Sequence, residues 1–314
     1  MVDLILYQIT QTNPALIPTN ATLVDSVRQA NVSAEYKQDI LELVLREAGP
    51  KSVLSIGQGI SNVGHDPIWH AAVRSASPNV VFDKWHRFEA YGHSRNRLRI
   101  KHTHSKRASF QRYSVGGGKP TTPENLLICG LIIALLEVNG CSGLRCDMPL
   151  EGGSTYCVYQ DGRFTIPKDI SLLNSTTWAI EWQMFSARTN IEKPQAELPD
   201  IPMPRTCKST MRKSVESVAR FLVSDVSRQW KVAELAREAG QSTRSLQRQL
   251  SEAKLSFSQL VRLVRIHHAC HLLESSSAPI TGIGYCTGFS DSAHFSRDFR
   301  ASMGMTPSDY RALF

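Results

Sequence analysis

The stretch Ile280–Arg311, ITGIGYCTGFSDSAHFSRDFRASMGMTPSDYR, decides the expected fold of the C-terminal part of the chain. Its pattern predicts a helix over Ile280–Thr287 that ends at Gly288, because glycine commonly terminates helices. Ser290 is placed to cap a second helix over Asp291–Ala301, whose inner face carries two phenylalanines. The side chains predicted to face outward on this second helix include Ser292, Ala293, His294, Arg297 and Arg300.

A similar unit precedes it over Lys231–Ala253. A short helix that carries Leu235 ends at Gly240, and Ser242 is placed to cap a helix over Thr243–Glu252. A helix-turn-helix of this kind lets the N-terminal residues of the second helix enter a major groove, where arginine reads guanine and glutamine reads adenine. The predicted outward side chains are Thr243, Arg244, Gln247, Arg248 and Ser251.

The two predicted reader helices start 49 residues apart, with a helix predicted over Phe257–Glu274 between them. A stiff helix of this length is able to hold two readers at a fixed separation. Two readers in successive major grooves lie roughly 34 Å apart, which is one turn of DNA. The spacing therefore favours a domain that reads two adjacent grooves.

The stretch Ile280–Arg311 resembles the signature of AraC/XylS-type transcriptional regulators, and the upstream AELAREAGQSTRSLQRQL and SFSQLVRLVR fit the same family. One departure is Gly284, where the family usually carries alanine. Glycine costs about 1 kcal/mol in a helix interior, so we expect a less rigid second unit. The resemblance is carried by Ile280, Ile283, Gly288, Phe289, Ser290, His294, Phe295, Arg297, Phe299, Gly304, Pro307, Tyr310 and Arg311.

The resemblance implies a monomeric two-reader DNA-binding domain that follows a regulatory domain for ligand sensing or dimerisation. Its implied partners are double-stranded DNA at two adjacent major grooves, RNA polymerase, a small effector and, as a further candidate, a second copy in a homodimer. It implies base contacts at Arg244, Gln247, Arg248, Ser292, His294 and Arg297, and phosphate contacts at Thr243, Ser251 and Arg300. The implied function is a ligand-responsive regulator of transcription, taken as an activator.

The basic residues are concentrated in the same part of the chain. Arg205–Phe314 holds 16 basic and 9 acidic residues, whereas the rest holds 20 and 19. This distribution is expected of a nucleic-acid-binding module joined to a near-neutral domain. The alternative is a basic surface that is merely solvated.

Four prolines between residues 194 and 204 stiffen a polar stretch and predict an interdomain linker over 191–212. The linker separates a regulatory domain, 1–190, from an all-helical DNA-binding domain, 213–314, with two helix-turn-helix units joined by the long helix. The regulatory domain is predicted to be α/β or α+β. Its main predicted elements are helices over Ala34–Ala48 and from Thr122 to Asn139, and strands over Ser94–His104, Gln111–Val115, Thr155–Tyr159 and Trp178–Phe185.

A cation-rich strand is the main functional candidate in the regulatory domain. No acidic residue occurs between Ala90 and Pro123, and alternation with Leu98 and Ile100 places the cations on one strand face. Arginines on such a face can bind phosphate or carboxylate in pairs of hydrogen bonds, so we predict an anionic ligand; the alternative is pairing with acids of neighbouring elements. The predicted ligand-binding residues are Arg95, Arg97, Arg99 and Lys101.

One specific ligand candidate comes from the spacing of these arginines. Arg95-x-x-x-Arg99 looks like the RxxxR half of the PilZ motif for cyclic di-GMP. The usual companion of that motif, D/N-x-S-x-x-G, is not present. On the spacing of the two arginines alone, cyclic di-GMP is the specific candidate within the broader prediction of an anionic effector.

Other functional classes find less support. Seven cysteines without a CxxC pair, no signal-peptide pattern and a longest apolar run of only Leu126–Leu136 predict a soluble, cytoplasmic protein. No nucleophile, base and orienting residue can be assigned, so we predict no enzyme, cofactor or metal. The alternatives are a constitutive regulator whose N-terminal domain only dimerises, and an enzyme or metal domain fused to the DNA-binding module. A separate metal candidate is the cluster of His267, His268, Cys270 and His271 on the predicted long helix, where the alternative is ordinary polar residues on an exposed connecting helix.

Overall fold

The computed structural model describes residues 2–16, 34–62, 67–91, 95–186, 198–203 and 209–314. Contacts divide the chain into two compact units, which are described separately. Unit 1 comprises Met1–Phe82 and His93–Arg188, and unit 2 comprises Asp83–Gly92 and Thr189–Phe314. Within the predicted linker 191–212, residues 191–197 and 204–208 lie outside the described residues.

The first part of the chain carries five α-helices among its described residues. The helix predicted over Ala34–Ala48 is followed by a kink at Gly49, which has a φ of 79°, and a second helical stretch continues to Ser55. The sequence also predicts Thr122 as the N-cap of the helix from Thr122 to Asn139; this is wrong by one residue, since Thr121 is the N-cap and Thr122 begins the helix. The helices are α1 (Val2–Thr12), α2 (Ala34–Ser55), α3 (Pro67–Ala72), α4 (Pro78–Tyr91) and α5 (Thr122–Val138).

Unit 1 is built on an antiparallel sheet of six strands in the order β1-β2-β7-β4-β5-β6, with a separate pair β3-β8. Every strand pair is antiparallel, which corresponds to the α+β alternative. The single strand predicted over Trp178–Phe185 is two short strands. The strands are β1 (Asn96–His104), β2 (Arg107–Ser114), β3 (Cys141–Ser142), β4 (Arg145–Pro149), β5 (Thr155–Gln160), β6 (Arg163–Phe164), β7 (Thr177–Glu181) and β8 (Met184–Phe185).

The core of unit 1 is centred on α5, which is apolar on all sides and buried over nearly its whole length. A helix of this composition must be enclosed by other elements. It crosses the end of α2 closely, since a Cβ added at Gly130 would lie 1.9 Å from the carbonyl oxygen of Leu54. No helix among the described residues is long and apolar enough to cross a membrane.

Unit 2 is helical, and its helices form two hydrophobic cores. The long helix α9 contributes to both, with Leu260 and Val264 in the first core and Ile266, Ala269 and Leu273 in the second. One helix therefore carries both halves of the unit. The helices are α6 (Ser209–Ser224), α7 (Val232–Glu238), α8 (Thr243–Glu252), α9 (Phe257–Ser275), α10 (Ile280–Cys286), α11 (Ser292–Met303) and α12 (Pro307–Arg311).

The close crossing of α5 and α2 predicts that Gly130→Ala destabilises unit 1. The added methyl group overlaps the backbone of Leu54, and overpacking typically costs about 1–3 kcal/mol or more. Gly116→Ala is the matched control, because a Cβ at Gly116 would have no neighbour within 4 Å and should change stability by less than about 0.5 kcal/mol. Unfolding of the full chain by urea, followed by tryptophan fluorescence, measures both. Equal midpoints for the two variants would contradict the packing described.

Candidate nucleic-acid interface

Helix α8 presents a polar outer face above an apolar inner face. Ser242 caps it, as the sequence predicts, by accepting a hydrogen bond of 3.1 Å from the amide of Ser245. Leu246 and Leu250 are fully buried in the first core. Of the predicted contact residues, Thr243 is half-buried, and the exposed ones are Arg244, Gln247, Arg248 and Ser251.

The predicted base-reading side chains of α8 are available for a ligand. Arg244 and Gln247 have no hydrogen-bond or ion-pair partner among the residues that the structure describes. Arg248 lies 3.8 Å from Glu252 through its Nε, and both side chains are mostly exposed. Such a pair on a helix surface contributes only about 0.3–0.5 kcal/mol, so it hardly restrains the guanidinium.

Helix α11 has the same construction, with one correction to its start. The N-cap is Asp291 and not the predicted Ser290, since the Asp291 carboxylate accepts a hydrogen bond of 2.7 Å from the amide of His294. This bond holds the pKa of Asp291 below its usual range. Phe295 and Phe299 are fully buried. Of the predicted contact residues, Ser292 and His294 are half-buried and Arg297 and Arg300 are exposed.

The imidazole of His294 is held from two sides. Its Nδ1 lies 2.9 Å from the hydroxyl of Ser290, and its Nε2 lies 3.4 Å from Asp298. Asp298 also lies 3.4 Å from Nε of Arg262 on α9. Sequence reasoning missed Asp298 and Arg262, although the four-residue spacing of His294 and Asp298 on one helix was a usable signal.

The turn 225–230 between α6 and α7 meets the turn 287–291 between α10 and α11. Gly288 is required at the meeting point, because its φ is 84° and a Cβ there would lie 2.6 Å from the carbonyl oxygen of Val226. The side chain of Gln229 donates a hydrogen bond of 2.6 Å to the Gly288 carbonyl. The two turns are thus in direct contact, and we call this region the turn junction.

Arg265 of α9 joins the turn junction from the boundary between the two cores. Its guanidinium donates a hydrogen bond of 3.1 Å to the carbonyl of Arg228 and lies over the ring of Phe289 at 5.9 Å. Burial lowers the pKa of Arg265 to about 10, so the side chain is still charged at neutral pH. A single cation therefore contacts both turns.

Gly284, the departure from the AraC/XylS pattern, has a packing reason. A Cβ at this position would lie 3.0 Å from Phe295 and 3.1 Å from the hydroxyl oxygen of Tyr91, both closer than ordinary contact. Tyr91 belongs to the part of α4 that is grouped with unit 2. The glycine therefore makes room for two aromatic side chains.

In unit 1, three of the four predicted ligand-binding cations, Arg97, Arg99 and Lys101, lie on β1 at the edge of the sheet, and Arg95 directly precedes that strand. Leu98 is buried between them, which agrees with the predicted alternation. Arg99 lies 5.1 Å from the ring of Tyr113. None of the four cations forms an ion pair with another residue that the structure describes. The described residues therefore give no support to the alternative, in which these cations pair with acids of neighbouring elements. Arg97 is half-buried, and the exposed ones are Arg95, Arg99 and Lys101.

A cavity of about 500 Å³ lies at a different part of the sheet and contains none of these four residues. The register of the strands places Arg107 and Arg145 on either side of Glu181. Arg107 is paired with Glu181 at 2.5 Å, and Arg145 with Asp147 at 2.9 Å. Sequence reasoning missed this cavity, because its residues come from four separate strand ends.

The histidine-rich part of α9 does not form a metal site in the structure. The rings of His268 and His271 stack at 6.3 Å. Within the described ranges, no group of three His, Cys, Asp or Glu side chains is arranged to hold a metal ion.

Comparison with known proteins agrees with this geometry. Residues 235–313 match a family model described as a helix-turn-helix domain. The C-terminal domain is of the AraC type. The chain is 27% identical over 97 residues to the TCP pilus virulence regulatory protein of Vibrio cholerae, which covers 31% of this chain and 35% of that protein. It is 30% identical over 95 residues to the transcriptional activator FapR of Escherichia coli, covering 30% and 36%.

Among solved structures, the DNA-binding domain of AdpA in complex with a target DNA is similar to the AraC-type domain. It is 26% identical, covers 32% of this chain and 91% of the AdpA chain, and has a TM-score of 0.30. The chain spans about a third of the length of the curated relatives it matches. These likenesses therefore concern the AraC-type domain.

Proposed function

We propose that this protein is a sequence-specific DNA-binding regulator of transcription with two helix-turn-helix readers. The observation that carries the proposal is the matched construction of α8 and α11. Each helix is capped at its N-terminus, buries two large apolar side chains and turns cations outward. A reader helix needs this construction, because its base of apolar contacts fixes the direction in which the polar face points.

The two readers act on adjacent major grooves of one DNA duplex. Both hydrophobic cores of unit 2 include residues of α9, and the turn junction joins the helix pair α7–α8 to the helix pair α10–α11. These contacts support a defined separation between the readers α8 and α11. Arg244, Gln247 and Arg248 are assigned to the bases of one groove, and Ser292, His294 and Arg297 to the bases of the other. Thr243, Ser251 and Arg300 are assigned to phosphates, which fix the protein on the duplex without reading sequence.

Activation, rather than repression, is supported by the name of FapR as a transcriptional activator. An activator bound beside a promoter contacts RNA polymerase, which is therefore the proposed protein partner. The exposed surface of unit 2 outside α8 and α11 is available for that contact. A second copy of the chain, bound through unit 1 in a homodimer, is the other proposed protein partner.

The regulatory input is proposed to be a small anionic molecule bound by unit 1. Arg95 and the three cations of β1 support this proposal, because neighbouring like charges without acidic partners repel one another and are stabilised by a bound anion. Cyclic di-GMP is one candidate and is supported only by the spacing of Arg95 and Arg99. An effector changes the output only if it binds two states of the protein with different affinity.

The groove assignments predict that Arg244→Ala and Arg297→Ala each weaken binding to a selected DNA site by about 1–3 kcal/mol, or roughly 5- to 150-fold. Each variant loses paired hydrogen bonds to a base and should relax the sequence preference at one position. Arg220→Ala is the matched control, since this exposed arginine lies on α6 outside both readers. Titrations of the full protein on DNA obtained by in vitro selection measure the effects.

The same titrations at low and high salt test whether binding is to DNA phosphates at all. Affinity should fall steeply as salt rises, because counterions are released on binding. An affinity that does not change with salt concentration would contradict the assignment of the two readers. An equal loss of affinity in Arg244→Ala, Arg297→Ala and Arg220→Ala would contradict it as well.

The effector proposal predicts that isothermal titration of the full protein with phosphate- and carboxylate-bearing metabolites, cyclic di-GMP included, detects a ligand. Arg95→Ala and Arg99→Ala should weaken its binding by roughly tenfold or more, because charge-assisted bonds of arginine to an anion are strong. Arg145→Ala, which changes the cavity instead, should leave it intact. A loss only in Arg145→Ala would move the site to the cavity, and no binding of any anion would favour the constitutive alternative.

A further inference from the structure

Unit 2 contains nine described residues, 83–91, that lie far from the AraC-type domain in sequence. Residues 83–91 form the second part of α4 and are grouped by their contacts with the C-terminal helices. Lys84 and Arg87 are buried although both are cations, whereas Asp83 and His86 are exposed. The segment therefore has one face packed within unit 2 and one face in solvent.

The first tie of this segment is the ion pair of Lys84 and Asp225. The Lys84 ammonium lies 2.8 and 2.9 Å from the two carboxylate oxygens and its side chain is only 2% exposed. Ser227 donates a further hydrogen bond to Asp225, so the carboxylate is well satisfied. Burial lowers the pKa of Lys84, and the attraction to Asp225 opposes that shift. A buried charge is tolerated only when it is paired, so each partner depends on the other.

The second tie is Arg87, whose guanidinium reaches both turns of the junction. It donates hydrogen bonds to the carbonyl of Ser227 in the turn 225–230 and to the carbonyls of Tyr285 and Phe289, at 3.4 and 3.5 Å, around the end of α10. The guanidinium also lies 5.3 Å from the centre of the Tyr285 ring. Arg87 is thus a single side chain that contacts both helix pairs.

Aromatic packing completes the contact. Tyr285 is buried, and its hydroxyl donates a hydrogen bond of 3.3 Å to the carbonyl of Lys84. The rings of Phe88 and Tyr91 meet the Tyr285 ring edge-on at 5.8 and 6.0 Å. The small size of Gly284 leaves room for Tyr91 at this contact.

These contacts show what the C-terminal residues would lack without the segment. The Asp225 carboxylate would lose its buried counter-ion, and the carbonyls of Ser227 and Tyr285 would lose a charged donor. The ring of Tyr285 would lose its aromatic neighbours. Buried polar groups left without partners are costly, so the residues on both sides of the turn junction are complementary to the segment.

We propose that residues 83–91 are a structural part of the DNA-binding unit, and that Arg87 positions the two reader helix pairs relative to each other. This inference rests on the proposed function, because its consequence concerns how two readers engage one DNA. Arg87 contacts no base or phosphate in this account and acts through the turns that carry α7 and α11. Its role is to fix the separation and orientation of the readers.

The experiment compares DNA sites of two lengths with full-length protein variants. One site is the duplex selected in vitro by the wild-type protein, and the other carries an insertion of about 5 base pairs, half a helical turn, between its half-sites. Arg87→Met removes the guanidinium donors and keeps an apolar side chain of similar length. His86→Ala, an exposed neighbour on the same helix, is the matched control.

We expect the wild-type protein and His86→Ala to lose at least about tenfold in affinity on the longer site, since a rigid pair of readers then engages only one half-site. Arg87→Met should bind the original site more weakly and should show a clearly smaller loss on insertion. Arg87→Lys keeps a cation that donates to fewer carbonyls and should fall between the two. General destabilisation would instead lower the affinity for both sites by the same factor.

The inference would be overturned if a folded Arg87→Met variant lost as much affinity on insertion as the wild-type protein does, whether or not it also bound both sites more weakly by the same factor. Hydrogen exchange of the wild-type protein needs no variant and covers the case in which Arg87→Met does not fold. The amides of residues 84–91 should exchange as slowly as those of α10, and fast exchange of the segment alone would refute its place in the unit. If the wild-type protein selects no DNA, the proposed function fails while the exchange result still decides the structural claim.

Discussion

Unit 2 depends on one constraint, which is that the backbone carbonyl groups must be hydrogen-bonded where two of its turns meet. The turn 225–230 and the turn 287–291 approach so closely that only glycine fits at Gly288. Their carbonyls accept hydrogen bonds from Arg87, Arg265 and Gln229. Buried carbonyls must be paired, so the separation of the turns is set by the reach of these three side chains. The turn 225–230 leads into α7 and the turn 287–291 leads into α11, so the same bonds set the separation of these two helices.

Much of the C-terminal domain could be predicted from sequence because its signals are local. Ser242 caps α8 as predicted, and the apolar spacing of Leu246 and Leu250 gives the inner face of that helix. The cap of α11 was misplaced by one residue because Ser290 and Asp291 are both good capping residues and only the geometry distinguishes them. Local sequence thus determines which helices form, and nearly where they begin.

The turn junction could not be predicted, because its bonds join distant parts of the chain. Lys84 and Asp225 are 141 residues apart, and Arg87 and Phe289 are 202 apart. No periodicity or cap connects such pairs. The cavity of unit 1 was missed for a similar reason, since strand register alone brings Arg107, Glu181 and Arg145 together. In contrast, the burial of Leu98 and the exposure of Arg99 and Lys101 on β1 follow the predicted alternation, because alternation along one strand is a local signal.

The contacts of the turn junction hold α8 and α11, the two proposed readers, in one arrangement, and the distance between these helices tests this most directly. Spin labels introduced as non-canonical amino acids at Glu252 on α8 and Ala301 on α11, both exposed, report that distance in the full-length protein without DNA. We expect a single distance distribution narrower than about one helical turn, roughly 5 Å. A broad or multi-peaked distribution in the free protein would contradict a fixed arrangement.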